Sequence, residues 1–298
     1  MTSELRTIRD MVRYAITRFH SATLSYGQGT RNAVEEAVFI VFEALDLPHD
    51  GLELYWDAAL LSSEKKRILK LINTRVQKNI PSAYLLQRAY LQGYRFYVDE
   101  RVIIPRSFIA EIIKKEISRE TDQGLLPYLT RAQNILDMCT GSGCLAILAA
   151  HLLPDIVADA VDISSDALAV AQVNVEAHDM GARVSLIQGD LFNSLSGKYD
   201  VILSNPPYVD AEGMADLPTE FHHEPALALA AGEDGLYLLH RILKDAPSHL
   251  TDQGILICEI GRCRPALESA YPHIKFQWLE SEQSTGEVFW LTKSMFQA

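Results

Sequence analysis

Apolar residues recur every three or four positions through three early stretches of the chain. Residues 4–20 (Leu5, Ile8, Val12, Ala15, Ile16, Phe19), 32–45 (Ala33, Ala37, Val38, Val41, Phe42, Leu45) and 62–79 (Ile68, Leu69, Leu71, Ile72, Val76) each set an apolar stripe along one face of an α-helix. Ser62 is placed to cap the third helix and Pro81 to close it. Residues 1–89 therefore predict a small helical domain. The pattern changes at residues 90–107, where β-branched and aromatic runs lie on either side of "VDER" and predict a β-hairpin. Ser107 then caps a helix reaching about Ser118, so residues 90–120 are expected to be a hairpin and a linker helix. Residues 121–132, with Gly124 and Pro127, are expected to connect this helix to the remainder of the chain.

From residue 134 onward strand and helix signals alternate. Strands are expected at 135–138, 156–163, 184–188, 200–203, 254–260, 274–279 and 288–291, with helices at 144–153, 165–179 and 235–250. Such alternation predicts an α/β domain over residues 121–298, built on a mostly parallel sheet covered on both faces. Ligands of such sheets bind outside the carboxyl ends of the strands, so candidate chemistry belongs at strand ends.

Composition narrows the class. Hydrophobic residues make up 48% and charged residues 22%, too apolar for a disordered chain. No run approaches the roughly 18 apolar residues of a membrane span, and Met1-Thr2-Ser3-Glu4 does not open like a signal peptide. A cytoplasmic protein without a membrane partner is expected. The net charge of -12, with no dense basic run, disfavours a substrate held through many phosphates and suits a basic protein or a small molecule. Cys139, Cys144, Cys258 and Cys263 match no common zinc spacing and read as buried thiols. His222 and His223 are adjacent, and adjacent residues rarely aim at one ion, so no metal is expected.

Four strand ends carry candidate chemistry. The first opens "LDMCTGSGCLA", whose Gly141 and Gly143 allow a sharp turn and a close approach to the free N–H groups of the following helix. With Ala146 they also satisfy the dinucleotide fingerprint, so a nicotinamide enzyme is one reading, and a glycine turn without a ligand is another. Asp162, about twenty residues on, can accept hydrogen bonds from ribose hydroxyls, while Ser164 and Ser165 are better placed than it is to cap the next helix. In "QGDLF", Asp190 can accept from an adenine amine or serve as a turn residue, and Leu191 and Phe192 offer apolar surface.

The fourth strand delivers "SNPPYVD". Two prolines end the strand and fix the turn. A planar NH₂ delocalises its lone pair, and a site that methylates it must align the nitrogen and accept both hydrogens. The Asn205 side-chain oxygen and the Pro206 carbonyl can be those acceptors, Pro207 stiffens the turn, and the Tyr208 ring can cover the planar group. Glu259, ending the fifth strand, reads as a base or as a structural hydrogen-bond partner.

These motifs, together with "FYVDERVIIPRS", "FHHEPALALAAGEDGL" and "ILICEIG", resemble class I S-adenosylmethionine-dependent methyltransferases that modify protein glutamine side chains. The resemblance runs from about Ser82 to the C-terminus. "PRS" in place of the release-factor subgroup's "PRPET", Cys139 in place of its glycine, and "YGQGTRNAVEEA" look like the subgroup acting on large-subunit ribosomal protein three, uL3. Gln28 and Met138 depart from the histidine and leucine expected there. The resemblance implies a Rossmann-like class I fold with a seven-stranded sheet, and a methyltransferase domain over residues 121–298. It also implies that Cys139, Thr140, Gly141, Ser142, Gly143, Asp162, Asp190, Leu191 and Asn205 hold S-adenosyl-L-methionine, leaving S-adenosyl-L-homocysteine. Asn205, Pro206, Pro207 and Tyr208 would hold the glutamine, with Asn205, Pro206 and Tyr208 catalytic. The helical domain would recognise the ribosomal protein, free or in a ribosome precursor, with no direct nucleic-acid substrate. Arg106 would orient cofactor or substrate, or join the domains by a salt bridge. Glutamine methylation of peptide release factors, adenine amino methylation of DNA or RNA, and a non-catalytic assembly factor are the alternatives.

Overall fold

The computed structural model describes residues 4–48, 50–118, 124–282 and 284–297. The three early stripes become α1 (Ile8–His20), α2 (Ala33–Ala44) and α3 (Ser62–Lys78). Thr7 and Asp10 cap α1 reciprocally, and the Asn32 side chain accepts from Val34 N and Glu35 N at the start of α2. Ser62 is the first residue of α3 rather than its cap, because the Glu64 carboxylate turns back to accept from Leu61 N at 2.8 Å. The helices share a core of their own in which Met11, Phe19, Ile40, Phe42, Ile68 and Ile72 are fully buried, each worth about 1.5–3 kcal/mol.

A short helix, α4 (Ser82–Leu86), leads to β1 (Ala89–Leu91) and β2 (Tyr94–Phe96), which pair as a two-stranded hairpin. Its turn is Gln92-Gly93, both in the left-handed region that a tight hairpin requires. "VDER" is not the turn: Asp99 there accepts from Arg101 N and Nε and sends residues 102–106 out as an irregular segment. Ser107 caps α5 (Phe108–Ile117), as its sequence predicts. The expected connection over 121–132 contains α6 (Leu126–Arg131), and its residues 121–123 lie outside the described residues.

The alternating region comprises β3 (Asn134–Met138), α7 (Cys144–Leu152), β4 (Val157–Asp162), α8 (Ser165–Ala177), β5 (Val184–Gln188), β6 (Tyr199–Ser204), α9 (Ala211–Ala215), α10 (Tyr237–His249), β7 (Leu250–Glu259), α11 (Arg264–Ala270), β8 (Gln277–Glu280) and β9 (Thr285–Thr292). The seven strands β3 to β9 form one sheet in the order β5-β4-β3-β6-β7-β9-β8, parallel except that β9 runs against both neighbours. Alternate strand residues feed two cores: Ile135, Val201 and Ile257 pack under α5 and α7, while Leu136, Ile202 and Leu256 pack under α10 and α11. Among the described residues no helix is long and apolar enough to cross a membrane.

The register fixes the site. Met138 lies opposite both Val161 and Ser204, Ser204 lies opposite Cys258, and Asp162 lies opposite Gln188. The chain runs outward from β3 through β4 to β5 in one direction and from β6 to β7 in the other. This divergence between β3 and β6 opens a crevice at the carboxyl ends. Cys139, Asp162, Asn205 and Glu259 therefore emerge on one rim.

Candidate functional site

The loop after β3 is shaped by a carboxylate beneath it. Asp137, buried in the strand, accepts from Thr140 Oγ1 at 2.5 Å and Ala146 N at 3.0 Å, which folds residues 138–143 over the strand end. Gly141 and Gly143 have φ +56° and +79°, and a Cβ at 143 would stand 3.3 Å from the Ala171 side chain of α8. Cys139 (φ +61°) and Leu191 (φ +53°) adopt the same region without being glycine, at a cost of about 1–2 kcal/mol each. Both are on the rim, where strain of this kind gathers around ligands. Burial pushes the thiols of Cys139 and Cys258 up, so they are neutral, and all four cysteines are free. Among the described residues no group of three or more His, Cys, Asp or Glu side chains is gathered to hold a metal ion.

Asp162 is tied to that loop. Its Oδ2 accepts from Gly141 N and its Oδ1 from Ser164 N, both at 2.9 Å, while the Ser164 hydroxyl caps α8. Burial raises its pKa above the ordinary aspartate value, against the pull of those amides. Asp162 lines a cavity of about 330 Å³ with Cys139, Gly141, Asp190, Leu191, Asn205 and Pro207. Ser164, Val102, Ile103, Ile163, Leu227 and Tyr237 complete much of its wall. Ile163, Leu227 and Tyr237 are 52–60% exposed, an apolar slot of the kind that a flat heterocycle covers. Asp190 does not stand free: its Oδ2 accepts from Arg241 of α10 at 2.7 Å. Thr140, Ser142 and Gly143 shape the loop from behind and do not line this cavity.

A second cavity, of about 140 Å³, lies on the other side of the Asn-Pro-Pro-Tyr turn. Pro206, Tyr208, Arg106, Leu217, Phe221 and Leu229 line it. Asn205 lines both cavities, and its side-chain amide bonds to none of the described residues. The Pro206 carbonyl likewise accepts none of the described hydrogen bonds. Two acceptors thus belong to residues of the smaller cavity, and one of them, Asn205, also borders the larger.

Tyr208 is held from three sides. Its hydroxyl donates to Glu259 Oε1 at 3.2 Å, and Glu259 Oε2 accepts from Ser107 Oγ at 2.8 Å and Phe108 N at 3.0 Å. A Cβ at Gly261 would lie 2.6 Å from the Tyr208 ring, and one at Gly235 2.5 Å from its carbonyl oxygen, so only glycine admits the ring here. Glu259 thus serves as the structural partner among its two readings. Burial, only partly offset by the Ser107, Phe108 and Tyr208 hydrogen bonds, pushes its pKa from 4.5 up to about 7. The fold therefore favours the protonated acid, a contribution fully present below about pH 4.5 and lost as pH rises to about 7. Buried Asp137, also pushed up to about 7, acts in the same sense. The melting temperature should accordingly fall less steeply between pH about 4.5 and 7 in Glu259→Gln than in the parent. Equal slopes would contradict this.

Arg106 takes the salt-bridge reading. Its guanidinium is paired two-pronged with Glu224 at 2.5 and 2.7 Å and stacks 5.4 Å from the Phe221 ring. Glu224 also accepts from Ile104 N, joining the segment after the hairpin to the "HHEP" loop. His223 bonds the Lys78 carbonyl. The sequence reading missed Asp137, Ile163, Glu224 and Arg241. An acid in an otherwise apolar strand was a usable signal for Asp137; Glu224 and Arg241 act through partners remote in sequence.

The Methyltransferase small domain family matches residues 119–268, half of the chain. Ribosomal protein uL3 glutamine methyltransferase of Bradyrhizobium diazoefficiens is 50% identical over 290 residues, covering 97% of this chain and 91% of that protein. The enzymes of the same description from Neisseria gonorrhoeae and Bordetella pertussis are 49% and 47% identical, each over 97% of this chain and 95% and 96% of their own. Among solved structures, the hMettl16 catalytic domain in complex with an RNA hairpin superposes with a TM-score of 0.50 at 15% identity, covering 79% of this chain and 84% of that one, a likeness of fold.

Proposed function

The chain belongs to the ribosomal protein uL3 glutamine methyltransferases, and from that premise we propose how its two cavities divide the work. The protein is an S-adenosylmethionine-dependent enzyme that methylates a glutamine of uL3. The larger cavity suits S-adenosylmethionine: Asp162 offers carboxylate oxygens to the ribose, Ile163 and Leu191 offer faces to the adenine, and Cys139 and Gly141 border the methionyl end. Bound there, the cofactor supplies an electrophilic methyl carbon. The smaller cavity suits a side-chain amide, with the ring of Tyr208 beside it.

The observation that carries this reading is the Asn205 amide, without a partner among the described residues, on the wall common to both cavities. Asn205 Oδ1 and the Pro206 carbonyl accept the two N–H hydrogens of the glutamine amide. That localises the nitrogen lone pair and turns it toward the larger cavity. No base is needed first, since the nitrogen becomes acidic only as it is methylated. Glu259 keeps Tyr208 in place and does not touch the acceptor. The helical unit over residues 1–89 presents the ribosomal protein, and residues 90–120 join it to the methyltransferase domain over 121–298. Purified uL3, a peptide release factor and single-stranded DNA, offered with labelled S-adenosylmethionine, test the substrate: label should enter uL3 alone. Label in the release factor or DNA at a comparable rate would overturn the assignment.

A further inference from the structure

Between residues 210 and 228, the segment that walls the acceptor cavity, the only buried residues are Glu220 and Glu224. No buried apolar side chain fixes this stretch; its buried anchors are two carboxylates, beside the outer contacts of His223 with the Lys78 carbonyl and of Asp210 with Arg262. Glu224 ties it to Arg106 and Ile104. Glu220, in the short turn Thr219–His223, ties it to the helical unit: its Oε1 accepts from Arg75 Nη1 of α3 at 3.0 Å and from Ser25 N at 2.8 Å. Arg75 is itself fixed by Glu36 of α2 at 2.6 Å and by the Ser25 carbonyl at 2.9 Å, and all three charged side chains are 2% exposed. Phe221, the next residue, faces the acceptor cavity and stacks under Arg106.

We propose that Glu220 is a positioning residue through which α2 and α3 set where the Phe221 wall of the acceptor cavity stands. The helical unit then shapes the cavity as well as presenting the protein substrate. The inference rests on the glutamine occupying that cavity. A docking unit joined to an independent catalytic domain would need no buried ion network ending beside Phe221.

Both donors reach the same oxygen, Oε1, so glutamine at this position keeps the reach and both hydrogen bonds without the charge. Aspartate keeps the charge but falls short by one carbon–carbon bond, about 1.5 Å. The experiment compares Glu220→Gln and Glu220→Asp with the parent by steady-state kinetics on purified uL3, with the S-adenosylmethionine Kd from calorimetry. Glu220→Gln should keep a kcat close to the parent's. Glu220→Asp should lose about tenfold or more in kcat at saturating uL3, the scale on which a misplacement of about 1 Å acts. Cofactor Kd should hold in both. A rise in KM for uL3 with kcat unchanged, a Gln variant that loses as much as the Asp variant, or loss of cofactor binding in either would overturn the proposal. A parent inactive on uL3 would instead overturn the functional reading beneath it.

Discussion

Asn205→Ala should lower methyl transfer to uL3 by about 10²–10³-fold while S-adenosylmethionine affinity changes little. The asymmetry follows from the walls. Asn205 is one of many residues around the larger cavity, where Asp162, Leu191 and the apolar slot remain after the substitution. On the acceptor side it supplies one of two acceptors, and among the described residues no side chain is bonded to it that could turn in and replace it. Kinetics with labelled cofactor and calorimetry on the same preparation separate the two quantities. A variant within tenfold of the parent would show that Asn205 is not the acceptor.

The second large effect is on stability. Arg75→Met should destabilise the protein by about 3–5 kcal/mol, because it strands two buried carboxylates that share one cation. Glu36 and Glu220 are each 2% exposed, so water cannot take the place of the guanidinium without opening the interface between the helical unit and the turn. Adding Glu36→Gln and Glu220→Gln to that variant should restore much of the loss by removing the stranded charges. Denaturant unfolding of the three proteins checks this. A cost below about 1 kcal/mol for Arg75→Met would mean that the network is solvated and does not hold the turn.

The parts of this molecule that were legible in its sequence are those governed by local rules. Helical periodicity located α1, α2 and α3, and the strand ends at Cys139, Asp162, Asp190 and Asn205 were visible as glycine, acid or proline breaks after apolar runs. The structure places these residues around two adjoining cavities. The hairpin turn was misplaced because Gln92-Gly93 lacks the usual Asn-Gly or Asp-Gly signal, although both residues adopt positive φ. The helices α9 and α11, five and seven residues long, are too short for a repeat to show. Contacts remote in sequence could not be read at all. Arg106 and Glu224 lie 118 positions apart, and Arg75 and Glu220 lie 145 apart; only folding brings either pair together. Asp190, taken from its turn alone, gave no sign of the Arg241 guanidinium that occupies one of its oxygens.

The central claim is that a side-chain amide and S-adenosylmethionine meet at Asn205. A crystal structure with S-adenosylhomocysteine and a glutamine peptide from uL3 tests it most directly. The ribose should bond Asp162 in the larger cavity, and the glutamine nitrogen should lie within hydrogen-bond distance of Asn205 Oδ1 and the Pro206 carbonyl, beside Tyr208. A glutamine bound outside the smaller cavity, or an amide nitrogen turned away from both acceptors, would contradict the account.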